Sequence, residues 1–330
     1  MRAVKLRRQR EVFGVPNERG FVPILLETLR VDSIPDFDLY NRVGRDYILY
    51  RAGSHPFTEK QRQALLEHGV KALYVPASQI DRYWHYLERN ITPILADPLL
   101  APQKKAEIFH ATSIGLTREI FNQPRSAKAL RQAGEVVKGS AELLLSGKPG
   151  FHAFLQMVGQ DSNLYTHSVN VCTYGIALAK AVGITDKERI QELGLGLLLH
   201  DLGMTEIPEE VLSRPGPLST EQWQLIRSHP RKGAEIYRSS GGENETVLRV
   251  ILTHHERVDG SGYPEGLVGR EIPLVGRIAA IANVFDALTT ARPFRPALTT
   301  YAALTCMKQE MGSFLDGELL DAFICLLGPA

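Results

Sequence analysis

The 330-residue chain is long enough for one large domain and one smaller domain, each with its own hydrophobic core. Its 38 Lys and Arg nearly balance its 37 Asp and Glu, which gives no global electrostatic basis for binding DNA, RNA or an anionic membrane surface. No stretch is long and apolar enough for a membrane span or a signal peptide, so we expect a cytoplasmic protein.

Residues 1–98 are predicted to form a small α+β module. Residues 46–50 and 71–75 are rich in β-branched and aromatic side chains, as strands are. Between them, the run from Thr58 to Gln61 matches the capping box of a helix N-terminus. A further helix is predicted at about residues 78–90, before a proline-containing linker.

Residues 99–330 carry apolar side chains at helical spacing, which predicts an all-α domain. The predicted helices cover residues 104–121, 126–145, 164–182, 186–199, 220–227, 231–239, 244–255, 274–289 and 301–311. Two of their N-termini have capping boxes, which begin at Thr185 and Ser219. The chain as a whole is therefore predicted to be α+β, with a mixed module followed by a helical bundle.

A cluster of histidines stands out within the helical part. Five of the ten histidines lie close together in sequence, at His167, His200, His229, His254 and His255. Neutral imidazole is a common ligand of transition metals, and a carboxylate such as Asp201 can bridge two ions. The helix before His200 is apolar all round and must be buried, so Asp201 needs a neutralising partner. A single histidine is more often a core residue, but the cluster predicts a metal site.

The local sequence predicts how some of these rings are presented. His229 precedes Pro230, which favours an extended backbone between two helices and a ring that points into a cleft. His254 and His255 are adjacent, so on a helix they project about 100° apart, which suits two metal ions better than one. His55, His68, His85 and His110 are isolated, and we interpret them as ordinary core or surface residues.

Several short motifs between His167 and Arg295 resemble the HD-GYP family, a branch of the HD metal-dependent phosphohydrolases. The motifs are HDLG at 200–203, RPGPLS at 214–219, HP at 229–230, HHE and DGSGYP at 254–264, and IANVFDALT with RPFR at 281–295. The resemblance covers the C-terminal two thirds of the chain and implies an HD-type helical bundle. The N-terminal module looks like an accessory domain found ahead of some HD-GYP domains.

The resemblance implies hydrolysis of cyclic di-GMP to pGpG or GMP, at a site with two divalent metal ions that are most often iron or manganese. The positions that correspond to metal ligands are His167, His200, Asp201, His229, His254, His255 and Asn283. Asp201, which would bridge the ions, and His200 are the residues expected to take part in catalysis. The positions around the nucleotide correspond to Tyr263, Asp286, Arg292 and Arg295. The family also links its Gly-Tyr-Pro loop to contact with diguanylate cyclase (GGDEF) domains, and a homodimer is a further expectation.

Three positions depart from the family pattern, and each departure removes charge. Met204 replaces the Lys of the HD-x-G-K motif, Asn283 replaces an Asp, and Asn163 replaces a Glu that supplies a third metal in some members. The loss of one positioned charged group typically costs about 10²–10³ in rate. We therefore predict slow turnover or none, with binding retained. Asp286 lies on the same helical face as Asn283 and is an alternative ligand, although an isolated Asp there more often supports a ligand or caps a helix.

Three functional hypotheses follow. The first is a slow metal-dependent phosphodiesterase acting on cyclic di-GMP, which the six intact ligand positions favour. The second is a protein that binds metal or nucleotide and signals through partners without catalysis, which Met204 and Asn283 favour. The third is a hydrolase of another nucleotide or phosphomonoester, and the loop at residues 260–264 argues against it.

Overall fold

A computed structural model of the protein describes residues 16–96, 100–145, 148–155, 163–212, 216–291 and 295–328. The chain divides into two compact units, Met1–Asp97 and Pro98–Ala330. None of the helices in the described part of the chain combines the length and the apolar character that a membrane span requires.

The N-terminal unit contains a four-stranded antiparallel sheet and two helices. The strands are β1 (Phe21–Leu25), β2 (Leu39–Val43), β3 (Asp46–Arg51) and β4 (Ala72–Pro76), in the order β1-β4-β2-β3. The helices are α1 (Glu59–Glu67) and α2 (Ile80–Ala96). The sequence predicted β3, β4 and both helices, but it missed the other two strands. β1 contains Pro23, which is tolerated because β1 lies at the edge of the sheet.

The predicted capping box and the aromatic side chains of α2 both stabilise this unit. The capping box before α1 is confirmed, because the Thr58 side chain accepts from the Gln61 backbone N–H and the Gln61 side chain accepts from Thr58. The α2 aromatics Tyr83 and Tyr86 are buried and pack edge-on against Phe37, with ring centroids 5.5 and 5.6 Å away. These side chains form the core between the sheet and α2.

The regular secondary structure in the described part of the C-terminal unit is helical. Its helices are α3 (Pro102–Asn122), α4 (Ala127–Leu145), α5 (Lys148–Leu155), α6 (Leu164–Ala181), α7 (Lys187–Leu199), α8 (Glu209–Leu212), α9 (Thr220–Arg227), α10 (His229–Ser239), α11 (Glu245–Thr253), α12 (Leu274–Thr289), α13 (Thr300–Gln309) and α14 (Gly317–Leu327). The nine predicted helices are confirmed, with ends that differ by at most about two residues. Helices α5, α8 and α14 were missed, in part because the Pro-Gly pair in the first turn of α5 is typical of a turn.

The C-terminal half of helix α7 is largely buried, as its apolar sequence predicted. Leu197, Leu198 and Leu199 are fully buried. A Cβ atom on Gly196 would lie 2.7 Å from Val250 Cβ on α11, which is closer than packed carbon atoms approach. Glycine therefore lets α7 and α11 pack closely. This packing fixes the C-terminal end of α7, where the His-Asp pair begins.

The prediction of an extended backbone at His229 is wrong. His229 is the first residue of α10, and Ser228 before it already has helical φ and ψ of −79° and −14°. Pro230 is accommodated because the N–H groups in the first turn of a helix have no partner within the helix. The turn between α9 and α10 is consequently tight, and it holds the His229 ring against the end of α7.

Candidate functional site

Two glycines bring the HD motif next to α10. A Cβ atom on Gly203 would lie 2.0 Å from the His229 carbonyl oxygen and 2.6 Å from the Gly233 nitrogen. The 3₁₀ segment Leu202–Glu206 can therefore lie directly on the first turn of α10 only with glycine at this position. The close approach places the Asp201 carboxylate beside the His229 ring.

Four histidine Nε2 atoms surround the Asp201 carboxylate in two pairs. His229 and His254 face Oδ1 at 3.1 and 3.6 Å, and their own Nε2 atoms are 3.0 Å apart. His200 and His167 face Oδ2 at 3.4 and 3.6 Å, and their Nε2 atoms are 3.3 Å apart. Each oxygen of the carboxylate is therefore faced by one pair of imidazole nitrogens.

The other nitrogen of each ring is tied to an acceptor. In His200, His229 and His254, Nδ1 donates to the carbonyl oxygen of the residue three positions earlier, at 2.7, 2.7 and 2.8 Å. In His167, Nδ1 donates to Oδ2 of Asp286 at 2.6 Å. A carbonyl oxygen can only accept, so Nδ1 carries the proton and, in a neutral ring, Nε2 carries a lone pair. All four lone pairs thus point toward Asp201.

The donor set fits two divalent metal ions that share one carboxylate. Potential ligand atoms fall into two groups, with Asp201 in both: one contains His167 and His200, and the other contains His229, His254 and His255. The paired Nε2 atoms are 3.0 and 3.3 Å apart, so their lone pairs repel one another unless a bound cation neutralises them. Neutral imidazoles with a carboxylate are a typical ligand set for transition metals. The two adjacent histidines lie in the same group, which corrects the prediction that they suit separate ions.

Burial and neighbouring imidazoles set the charge state of this centre. Burial alone would raise the pKa of the Asp201 carboxyl, but its contacts with His200, His229 and His254 hold that pKa well below the usual range. Burial lowers the pKa of His254 to about 4 and that of His255 well below its ordinary value. Near pH 7 the protein therefore presents an ionised Asp201 and neutral rings at His254 and His255, which are the protonation states that metal ligation requires.

Asp286 is buried on the side of the His167 ring that faces away from Asp201. Its side chain is 1% exposed, and its Oδ2 and Oδ1 accept hydrogen bonds from His167 Nδ1 at 2.6 Å and from Asn170 Nδ2 at 2.7 Å. A buried carboxylate with both oxygens engaged cannot contact a nucleotide. This placement corrects the prediction that Asp286 binds substrate, and it gives Asp286 the role of orienting His167.

The other residues predicted to bind substrate are Tyr263, Arg292 and Arg295, and the structure describes two of them. The Tyr263 ring stacks on His255 with a centroid distance of 4.6 Å, so it lies directly against the metal centre. Arg295 donates through Nη2 to the Ala287 carbonyl oxygen near the end of α12, and its contact with phosphate stays a prediction. Arg292 lies outside the described residues.

The three positions that depart from the family pattern are half-buried. Asn163 is the N-cap of α6, and its Oδ1 accepts from the backbone N–H of Thr166 at 2.9 Å. Its side-chain oxygen therefore caps the N-terminus of α6. Met204 lies in the 3₁₀ segment after Asp201, and Asn283 lies one turn before Asp286 on α12. Ligation by Asn283 stays a prediction.

One functional residue was missed by sequence analysis. Glu256 is 2% exposed and accepts hydrogen bonds from three consecutive backbone N–H groups, those of Glu265, Gly266 and Leu267, at 2.7, 3.2 and 3.0 Å. Its carboxylate thereby closes the Gly-Tyr-Pro loop onto the histidine pair. The sequence signal was a charged residue directly after two predicted ligands, but nothing local indicated that it was buried.

Comparisons with known proteins agree with this geometry. The family model described as HD domain matches residues 162–319. A cyclic di-GMP phosphodiesterase of Pseudomonas aeruginosa is 29% identical over 83% of this chain and 71% of its own length. A cyclic di-GMP phosphodiesterase of Thermotoga maritima is 33% identical over 73% of this chain and 66% of its own length.

Two further relatives extend the comparison. The response regulator RpfG of Xanthomonas campestris, named as a cyclic di-GMP phosphodiesterase, is 41% identical over 44% of this chain, which spans only 39% of that protein. The solved structure of Bd1817, an HDG"Y"P protein from Bdellovibrio bacteriovorus, has a TM-score of 0.65 and 26% identity, and the match covers 93% of this chain and 99% of that one. The chain belongs to the HD-GYP family.

Proposed function

We propose that the protein is a metal-dependent phosphodiesterase that hydrolyses cyclic di-GMP. The observation that carries the proposal is the arrangement of four imidazole Nε2 atoms in two pairs, one on each oxygen of Asp201. Relatives named as cyclic di-GMP phosphodiesterases support the choice of substrate. The product would be pGpG, with GMP after a second hydrolysis.

The proposed division of labour follows the two groups of ligand atoms. His167 and His200 would hold one metal ion, His229 with His254 and His255 the other, and Asp201 both. Such a pair of ions supplies a water-derived nucleophile at neutral pH and stabilises the oxygens of an in-line displacement. A His-rich set with one carboxylate favours a transition metal over magnesium or calcium, which prefer oxygen ligands, and the proposal of iron or manganese rests on the family resemblance.

Turnover is proposed to be slow because Met204 stands where the motif of the family has a lysine. The Met204 thioether follows Asp201 by three residues and cannot neutralise a departing alkoxide. Asn283 would ligate only through a neutral amide oxygen, which weakens metal binding relative to a carboxylate. Arg292 and Arg295 are proposed to hold phosphate oxygens, as guanidinium groups do elsewhere.

The test is to load the purified protein with Fe²⁺ or Mn²⁺ and to follow the conversion of cyclic di-GMP to pGpG and GMP by chromatography. Asp201→Asn removes the shared charge, so both metal content and hydrolysis should be lost. Asp321→Asn is the matched control, since Asp321 is an exposed residue paired with Lys308. A wild-type protein that takes up metal but leaves cyclic di-GMP intact under all conditions would contradict hydrolysis as the function.

Met204 and Asn283 favour a second candidate function, a receptor that binds metal or cyclic di-GMP and signals without turnover. Binding of cyclic di-GMP without hydrolysis would support this candidate. The double variant Met204→Lys with Asn283→Asp discriminates between the two, because restored hydrolysis would mean that the scaffold is an attenuated enzyme.

Partner contacts form the last part of the proposal. The Gly-Tyr-Pro loop is proposed to contact diguanylate cyclase (GGDEF) domains. Asp259 and Ser261 in this loop are exposed, while Glu256 accepts hydrogen bonds from the backbone that follows it. A homodimer and a cytoplasmic location are proposed on the family resemblance and the sequence alone. Co-purification of a GGDEF domain with wild-type protein but not with Ser261→Tyr protein would test the first of these.

A further inference from the structure

Arg227 supplies a positive charge at the edge of the metal centre. It lies in the last turn of α9, and its side chain is exposed. Its guanidinium carbon is 5.3 Å from the centroid of the Tyr263 ring, a distance typical of a cation–π contact. That ring in turn stacks on His255, with centroids 4.6 Å apart. A single aromatic ring therefore connects Arg227 to a predicted metal ligand.

The tight turn between α9 and α10 ties Arg227 to the histidine cluster through the backbone as well. The carbonyl oxygen of Ile226, directly before Arg227, accepts a hydrogen bond from Nδ1 of His229 at 2.7 Å. The ring of His229 also lies edge-on to the Tyr263 ring, with centroids 6.3 Å apart. Arg227 and His229 thus approach the Tyr263 ring from the same short segment. A substrate that is bound at the histidines and extends over Tyr263 meets the guanidinium.

The charges that act on the Tyr263 hydroxyl agree with this arrangement. Burial and the Asp201 carboxylate raise the pKa of Tyr263, whereas the guanidinium groups of Arg227 and Arg257 lower it. The hydroxyl is therefore within electrostatic reach of both the bridging carboxylate and Arg227. Tyr263 spans the space between the metal centre and this cation.

The guanidinium of Arg227 keeps its hydrogen-bond donors available. Within the described ranges of the chain it has no hydrogen-bond acceptor, and its contact is with the Tyr263 ring. Arg231, one turn further along, differs because it donates to Glu265 at 2.8 Å. Arginine presents five N–H donors in a planar fork that matches the oxygens of a phosphate. The contact with Tyr263 restrains this fork without using any of its donors.

We propose that Arg227 binds the second phosphate of the substrate, the one that is not being cleaved, while the first lies at the metal ions. The proposal rests on the proposed function, which makes the substrate a cyclic dinucleotide with two negatively charged phosphodiesters. The reacting phosphate must contact the metal ions directly. Arg227 is set back from them by the rings of Tyr263 and His255. The guanidinium is therefore placed for the phosphate on the far side of a ribose and not for the reacting one.

The test compares cyclic di-GMP with bis(4-nitrophenyl) phosphate, an ester that has a single phosphate. Calorimetry gives the affinity of the full-length, Mn²⁺-loaded protein for cyclic di-GMP, and absorbance follows hydrolysis of the second ester. Arg227→Gln should lower the affinity for cyclic di-GMP roughly tenfold, as expected when an exposed group loses a hydrogen bond to a charge. It should leave bound metal and hydrolysis of the one-phosphate ester unchanged.

Two further variants complete the comparison. Arg227→Lys keeps the charge and should keep part of the affinity. Added salt should weaken cyclic di-GMP binding more in the wild type than in Arg227→Gln protein, because salt screens the contact that the variant lacks. Arg238→Gln is the matched control, since Arg238 is an exposed arginine at the other end of α10 from His229, and it should change none of these values.

Two outcomes would overturn the role of Arg227. One is an affinity for cyclic di-GMP in Arg227→Gln protein that equals that of Arg238→Gln protein. The other is a parallel loss of bound metal and of hydrolysis of the one-phosphate ester, which would mean that Arg227 supports the metal centre through Tyr263. A wild-type protein that hydrolyses neither ester loses the proposed function, whereas the affinities for cyclic di-GMP still decide the role of Arg227.

Discussion

The Asp286 carboxylate accepts a 2.6 Å hydrogen bond from Nδ1 of His167, a residue 119 positions earlier in the chain. Because Asn170 occupies the other carboxylate oxygen, Asp286 cannot turn away. The bond fixes the His167 ring so that Nε2 points at Asp201. It also places a second carboxylate behind His167. Within the two ligand groups themselves, Asp201 supplies the one carboxylate.

Replacing Asp286 should therefore weaken metal binding without removing a metal ligand. Asp286→Asn keeps the size of the side chain but removes the charge, and loss of such a supporting group typically lowers metal affinity about 10- to 100-fold. Calorimetric titration of the metal-free protein with Mn²⁺ measures the change. Asp321→Asn on α14 is the control, and equal affinities for the two variants would show that Asp286 has only a packing role.

Restoring the missing cation should raise the rate of hydrolysis. Met204→Lys places an ammonium three residues after Asp201, and one positioned charged group is typically worth about 10²–10³ in rate. The readout is kcat for cyclic di-GMP with saturating metal. Met204→Gln, of similar length but neutral, should stay near the wild-type rate. A lysine variant that is no faster than the glutamine variant would mean that turnover is limited elsewhere.

The buried carboxylate of Glu256 should control the order of the Gly-Tyr-Pro loop. Glu256→Gln removes the charge and one acceptor from a group that binds three backbone N–H groups, which costs about 1–3 kcal/mol. Amide hydrogen exchange at Gly266 and Leu267 should accelerate accordingly. Exposed Glu265 offers the control Glu265→Gln, which leaves these bonds in place. Unchanged protection in the first variant would show that the loop is held by other contacts.

The close approach at Gly203 should be intolerant of any side chain. In Gly203→Ala, the new Cβ would lie 2.0 Å from the His229 carbonyl oxygen, so the 3₁₀ segment must move away from α10. Overpacking of this kind costs typically about 1–3 kcal/mol, and the shift would also separate Asp201 from His229. We expect a lower Tm together with a loss of bound metal.

The matched control for this variant is Gly134→Ala on α4. A Cβ there meets nothing within 4 Å, so the substitution should be neutral or stabilise the protein by up to about 1 kcal/mol. A Gly203→Ala protein as stable and as rich in metal as Gly134→Ala would contradict the packing account.

Local signals made much of the fold predictable. Helix α9 was predicted to the residue because the capping box at Ser219 marks its start. In contrast, β1 was missed because Pro23 argues against a strand unless its place at the sheet edge is known. The start of α10 at His229 was misjudged. A residue before proline usually avoids the helical conformation, but proline is well tolerated in the first turn of a helix, and here the second preference decides.

For the candidate site, the sequence indicated which residues would form the histidine cluster but not how they are arranged. The clustered histidines and Asp201 are visible in the sequence, and the resemblance to a family predicted that they are metal ligands. The roles of Asp286 and Glu256 were not readable, because their partners are distant in the chain or are backbone groups. The arrangement of two Nε2 pairs on the two oxygens of Asp201 emerges only from the packing of α6, α7, α10 and α11.

An anomalous difference map from crystals of the Mn²⁺-loaded protein tests this arrangement most directly. The account predicts two peaks about 3.5–4 Å apart, both bound by the Asp201 carboxylate. One peak should touch His167 and His200, and the other His229, His254 and His255. A single peak, or ions bound without Asp201, would contradict it.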